Sequence, residues 1–294
     1  MHKRKLKELN LLDDFLFFKM LNHPEFGEEF SRNLLKVIFG RDFGKLKVIP
    51  QRVYYGSDTD KHGARLDVYL EETFDGEELL ENVTLYDVET ELKNTEESIR
   101  SLPRRVRFYH SIIDADSLKS GADYTSLKKV VVIMITPFDP FGFDYTVYTI
   151  GNACKEVPEL LYDDGAKTIF LYTHGKKGDV PQSLKELLNY MEDTSWENAK
   201  NDALKKIQSL VEVVKRDKGV SLEYMKIFEK EQMLREEGRE EERKNTERER
   251  ARAEQERKNM ERERVRAEQE RKRADMAEEE NRKLREEIER LKRA

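Results

Sequence analysis

The sequence predicts an α/β fold, a mixed β-sheet flanked by helices, followed by a long charged C-terminal helix. Three observations predict it. Alternating and β-branched segments recur between residues 48 and 172, with helical periods before, between and after them. One segment, Lys129 to Thr136 (KVVVIMIT), is apolar without alternation, the mark of a strand buried on both faces. Charge is unevenly placed: 39% of residues are charged, against about 25% in ordinary domains, and residues 231–294 alone hold 21 basic and 21 acidic side chains. That tail is neutral and too poor in apolar residues to build a core, so the folded part is confined to residues 1–230, which carry the net charge of −6.

The elements follow in order. Residues 9–40 read as helical, with Leu11, Leu12, Phe15, Phe18 and Met20 near a 3.6 period and Asp13 and Asp14 in the first turn. Asn22-His23-Pro24 breaks this segment, and a second helix runs to Phe39 and stops at Gly40. Val48–Tyr55 and Arg65–Leu70 are strands; in the latter Leu66, Val68 and Leu70 oppose Arg65, Asp67 and Tyr69. Asp75-Gly76 is a turn signal. In Val83–Leu92, Tyr86, Val88, Thr90 and Leu92 oppose Leu85, Asp87, Glu89 and Glu91, making an antiparallel hairpin with the preceding strand. Glu96–Ile113 returns to a helix carrying Arg100, Arg104, Arg105 and Arg107. After the apolar strand come strands at Tyr145–Ile150 and Thr168–Tyr172, the second preceded by the turn Asp163-Asp164-Gly165, then a helix at Ser183–Tyr190. Whether the edge strands lie parallel or antiparallel does not follow from these patterns.

Residues 195–230 read as helical, with Leu204, Ile207, Leu210, Val211 and Val214 as a packing stripe. In the tail, ERKNTERERARAEQ (242–255) is followed by ERKNMERERVRAEQ (256–269), a 14-residue repeat. Its seam holds Glu256, Glu263 and Glu270, a poor coiled coil, while opposite charges recur three apart, as in Glu247–Arg250, Glu254–Arg257 and Glu261–Arg264. Only 274–291 has coiled-coil spacing, through Ala274, Ala277, Asn281, Leu284, Ile288 and Leu291. The expected organisation is a domain at 1–190, a helical connector at 191–230 and a long charged helix at 231–294, with a homodimer through the final turns as one outcome and a frayed tail as the other.

Several classes are excluded or disfavoured. No stretch reaches the roughly 18 apolar residues of a membrane span. Met1 to Leu12 lacks the apolar centre of a secretory signal. The single cysteine, Cys154, rules out an internal disulfide, fits a cytoplasmic protein and reads as a buried small hydrophobe. No phosphate-binding glycine loop and no paired zinc ligands occur.

The informative constellation is acidic. Asp67, Glu89 and Glu91 lie inside strands on faces able to coincide, where carboxylates repel unless a cation or solvent relieves them. A hard divalent cation takes oxygen ligands, usually one or two carboxylates with waters. Solvated charges on an open sheet face account for the same spacing. The arginines of the next helix suit phosphate contacts, and internal neutralisation of the acidic stretch 89–97 explains them equally well.

DDFLFFKML (13–21), GARLDVYL (63–70), YDVETEL (86–92), LPRRVRFYHSIID (102–114), LKSGADY (118–124), VVIMITPFDPFG (131–142) and the DDG turn (163–165) occur in an order and spacing that resemble the Rpn family of recombination-promoting nucleases and transposases, in the PD-(D/E)XK nuclease superfamily. The resemblance covers residues 9–190. It implies a PD-(D/E)XK nuclease-like core and an Mg²⁺ (or Mn²⁺) ion held by Asp67 and Glu89. It also implies hydrolysis of DNA phosphodiester bonds by direct attack of water, in recombination or mobile DNA. Asp14 is the candidate for the acid that the superfamily carries on its leading helix. Where related sequences carry Lys or Gln two residues after the second acid, this chain has Glu91, an added ligand, a base or a mark of weakened activity, with Lys93 next on the same face. Arg104 and Arg105 are the expected phosphate contacts. The expected function is therefore a metal-dependent DNA endonuclease. The alternative is a catalytically impaired nuclease fold that binds DNA or assembles through its tail, and a structural helix-forming protein anchored by its front domain ranks last.

Overall fold

The computed structural model describes residues 4–54, 64–73, 83–118 and 120–293; side chains at 45, 49–54, 64–69 and 73, and several in the tail, lie outside that description. The chain divides into two units, Met1–Tyr224 and Met225–Ala294. In the first, helices α1 (Asp14–Leu21) and α2 (Gly27–Phe39) precede strands β1 (Lys45–Tyr54), β2 (Ala64–Thr73) and β3 (Thr84–Thr90). Helix α3 (Glu96–Ser117) follows, then β4 (Lys129–Thr136), β5 (Val147–Ile150), β6 (Ala166–Tyr172), α4 (Gln182–Glu192) and α5 (Asp202–Arg216). Helix α6 (Lys218–Arg293) begins in the first unit and makes up the second. The Asp75-Gly76 turn lies outside the described residues.

The strands form one mixed sheet in the order β1-β2-β3-β4-β6-β5. β1, β2 and β3 pair antiparallel, β3, β4 and β6 pair parallel, and β5 pairs antiparallel on the far edge. KVVVIMIT is central and buried on both faces, as its unbroken apolar run predicts. Val131, Ile133 and Ile135 join the core shared with α1, α2, α4 and α5. Val130, Val132 and Met134 join a second core, under α3, with Leu102, Val106, Tyr109 and Ile113. Pro50 within β1 is tolerated because β1 is an edge strand.

The helix ends are chemically marked. Gly40 takes a left-handed φ of 65° at the end of α2, where its N–H bonds the Lys36 carbonyl. Gly27 is required by a close approach, since a Cβ there would meet the Leu21 carbonyl oxygen at 2.4 Å. Thr95 caps α3 and Asn201 caps α5, each side chain accepting from the backbone N–H three residues on.

Two expectations are corrected. The stretch 195–230 is helical only from Asp202 and holds two helices: the chain breaks at Asp217, whose carboxylate accepts from the Val220 N–H at 2.8 Å and starts α6. A good N-cap residue competes with helix continuation there. The stripe of α5 (Leu204, Ile207, Val211, Val214) lies in the core, and Tyr224 of α6 packs its ring 4.9 Å from Phe15. Cys154 is half-buried in the long β5–β6 loop rather than fully buried, because that loop carries no element to cover it.

In the tail, α6 spans 76 residues, roughly 110 Å at 1.5 Å per residue. Among the described residues its ion pairs fall four apart rather than three: Glu240–Lys244, Glu254–Lys258, Glu268–Lys272 and Glu279–Lys283 at 2.7–3.2 Å. Glu preceding Lys by four is the better orientation. Met260, Val265 and Met276 are exposed, and Asn281 bonds the Ala277 carbonyl of its own helix. Among the described residues no helix is long and apolar enough to cross a membrane.

Candidate active site

β3 sets the site. Its alternation sends Tyr86 and Val88 into the core beneath α1 and α2, and Leu85 into the core beneath α3. Asp87, Glu89 and Glu91 share the α3 side with Leu85. Asp87 is 0% exposed, Glu89 and Glu91 7% each. Glu89 and Glu91 are therefore not solvated charges on an open sheet face. α3 covers that face because its Leu102, Val106, Tyr109 and Ile113 need an apolar partner there. Buried carboxylates demand partners or a cation.

Glu91 stands at the C-terminal end of β3, where its N–H bonds the Ile135 carbonyl of β4. Its Oε1 accepts from the Lys93 backbone N–H at 2.7 Å, and its Oε2 from Arg105 Nη1 at 2.5 Å. Burial works against the charge on Arg105, but the hydrogen bond to Glu91 and the fields of Tyr109, Glu91 and Glu89 hold its guanidinium pKa above the usual arginine value. Arg105 therefore faces inward to the acids, while Arg104, one residue earlier, is exposed. The two arginines expected as phosphate contacts are directed differently.

Asp14 opens α1 and arrives at the same end of β3. Its Oδ1 accepts from Thr90 Oγ1 at 2.8 Å. Burial pushes the Asp14 carboxyl above the usual aspartate range; the Thr90 bond opposes this, Glu91 and Asp13 add to it, and Lys93 opposes it. The structure thus brings Asp14, Glu91 and Lys93 into one electrostatic neighbourhood, and Glu89 and Glu91 into that of Arg105. Asp67 holds a backbone position in β2. The β2–β3 ladder runs from Glu72 opposite Thr84 to Tyr69 opposite Asp87, two residues short of Asp67 along β2. The Asp67 side chain lies outside the described part. Among the described residues no three His, Cys, Asp or Glu side chains converge as a metal would need.

One acid was missed by the sequence reading. Glu72 continues the apolar face of β2 two residues past Leu70 and is 0% exposed. Arg41 grips it with two nitrogens at 2.8 and 2.7 Å, Tyr86 donates at 3.0 Å and the Gly44 N–H at 3.2 Å. An acid on a buried alternation is the signal that calls for such a partner. Among the histidines, His110 is half-buried with Nε2 3.0 Å from Thr168 Oγ1.

The acids at the end of β3 thus lie beside the inward Arg105, with Asp14 approaching from α1. Comparison with family models, with curated proteins and with solved structures finds no match for this chain.

Proposed function

We propose that the chain is a metal-dependent DNA endonuclease with a PD-(D/E)XK nuclease-like core, acting in recombination or mobile DNA. The observation that carries this reading is the carboxylate row Asp87, Glu89, Glu91, buried on β3 and met at its C-terminal end by Asp14. Ligands of open α/β sheets bind outside the carboxyl ends of the strands. The donor set is all oxygen, which fits Mg²⁺ or Mn²⁺ and not a thiol- or imidazole-bound metal. Asp67 and Glu89 would hold the ion, as the family resemblance implies, while Glu91 has a partner on each oxygen. A bound Mg²⁺ would supply charge stabilisation at the phosphodiester. Asp14, held above the usual aspartate range, is suited to carry a proton at the carboxyl end of β3. Arg105 keeps Glu91 in place, and Lys93 adds a positive charge beside it.

Plasmid incubated with the full chain and Mg²⁺ is expected to be nicked, and Asp67→Ala and Glu89→Gln are expected to lose that activity. Equal nicking by all three proteins, or none by any, sinks the proposal.

A second reading has its own observation. Glu91 stands where a donor would orient water or steady developing charge, and an ionised carboxylate cannot donate. On that reading the chain is a catalytically impaired fold that binds DNA. Glu91→Lys then creates or strongly raises cleavage; under the first reading it does not.

A further inference from the structure

We infer that the outward face of α3 is a second phosphate-binding surface, separate from the carboxylate site. It consists of Arg100, Arg104 and Arg107 and takes the backbone of a nucleic acid. This deepens the nuclease proposal by assigning where substrate is held rather than cut.

The inference starts from ion-pair bookkeeping. Among the described residues of the compact unit, Arg4 pairs with Asp13, Arg32 with Glu28, Arg41 with Glu72, Arg105 with Glu91 and Arg216 with Glu212. Arg100, Arg104 and Arg107 are the described arginines there for which no ion pair forms, and all three are exposed. They fall on one helix at i, i+4 and i+7. At 3.6 residues per turn they lie within about 60° of each other and roughly half a turn from the buried stripe Leu102, Val106, Tyr109, Ile113. The row is about 10 Å long. Like charges at this spacing repel and destabilise an isolated helix, and an external polyanion would relieve that repulsion.

The chemistry favours a phosphate backbone over an acidic protein. A protein interface centres on apolar and aromatic groups with a polar rim. Here the row has guanidinium groups at its centre and Ser111 on the same face, with Phe108, 39% exposed, at its border. Backbone contacts need charge and fork geometry, which arginine supplies. Glu96 and Glu97 lie one turn before the row, in the first turn of α3, where they complement the helix N-terminus. Arg105 is not part of the row, because it is turned toward Glu91.

The test is fluorescence anisotropy of a short labelled DNA duplex with the full chain, in EDTA, across a salt series. R100Q/R104Q/R107Q is expected to bind about 10- to 100-fold more weakly at physiological salt, with the log–log salt slope reduced by roughly 2 to 3. R100K/R104K/R107K is expected to keep most of the slope. A folded Gln triple variant with unchanged affinity and slope overturns the inference. So does a chain that binds polyglutamate through these residues and not DNA, which would assign the face to an acidic protein. Binding in EDTA is read apart from cutting, so a wild-type chain that binds through this face in EDTA but does not nick plasmid in Mg²⁺ sinks the nuclease proposal alone. Cutting with an unchanged slope in the triple variant sinks this one alone.

Discussion

The sheet carries a buried acid–arginine pair on each face, and the two are held in different ways. On the side of α1 and α2, Glu72 takes two nitrogens of Arg41, the Tyr86 hydroxyl and the Gly44 N–H, while the Arg41 guanidinium also stacks 3.8 Å from the Phe43 ring. On the side of α3, Glu91 takes one nitrogen of Arg105 and one backbone N–H, with Glu89 and Asp14 in the same electrostatic field. The first carboxylate is saturated and surrounded by aromatic rings. The second sits among other acids at an open strand end. A saturated pair is a strut; an acid among acids is adjustable by a cation, a proton or a substrate.

The largest effect expected from this comparison is on the strut. Arg41→Ala leaves Glu72 buried without its main partner and is expected to cost about 3 kcal/mol, the lower end for a broken buried pair because Arg41 is itself partly exposed. Urea unfolding measures it, and a loss below about 1 kcal/mol would reduce Glu72–Arg41 to an ordinary surface pair. Arg105→Gln is expected to cost less, about 1–2 kcal/mol, since Glu91 keeps the Lys93 N–H. A cost equal to that of Arg41→Ala would erase the distinction.

Next in size is an opposite dependence on pH. Burial alone would raise the Glu72 carboxyl, but the hydrogen bonds of Arg41, Gly44 and Tyr86 outweigh it and hold Glu72 below the usual glutamate range. Its contribution is therefore present above the unfolded value of 4.5 and lost as pH falls through the lower folded value. Asp14 is shifted up, so its contribution is full below the unfolded value of 3.8 and lost as pH rises through the higher folded value. Unfolding free energy followed from pH 7 into acid, for the wild type beside Glu72→Gln and Asp14→Asn, reads both. Glu72→Gln is expected to flatten the acid loss of stability, and Asp14→Asn to steepen it. Parallel curves for all three proteins would contradict the assignment.

The smallest effect belongs to the tail, whose pairs are exposed. Lys258→Ala removes the Glu254 partner and is expected to lower helix stability by about 0.2–0.5 kcal/mol, seen as a slight loss of helical circular dichroism at low salt that fades at high salt. A loss of several kcal/mol would mean that the tail is not a solvated helix.

Local periodicity alone determined much of this protein. The unbroken apolar run of β4, the alternation that puts Asp87, Glu89 and Glu91 on one side of β3, the stop at Gly40 and the charged tail helix all depend on residues a few positions apart. Backbone sterics and burial act at that range. Tertiary structure alone decided the rest. It placed β6 between β4 and β5, turned Arg105 toward Glu91 and left Arg104 outside, brought Asp14 to Thr90 across 76 positions of sequence, and gave Glu72 its arginine. It also decided that the acids on β3 are buried, because that depended on α3 lying over them. Each of these contacts joins segments far apart in the chain, and their selection rests on which apolar faces bury each other. No periodicity within a single segment encodes that choice.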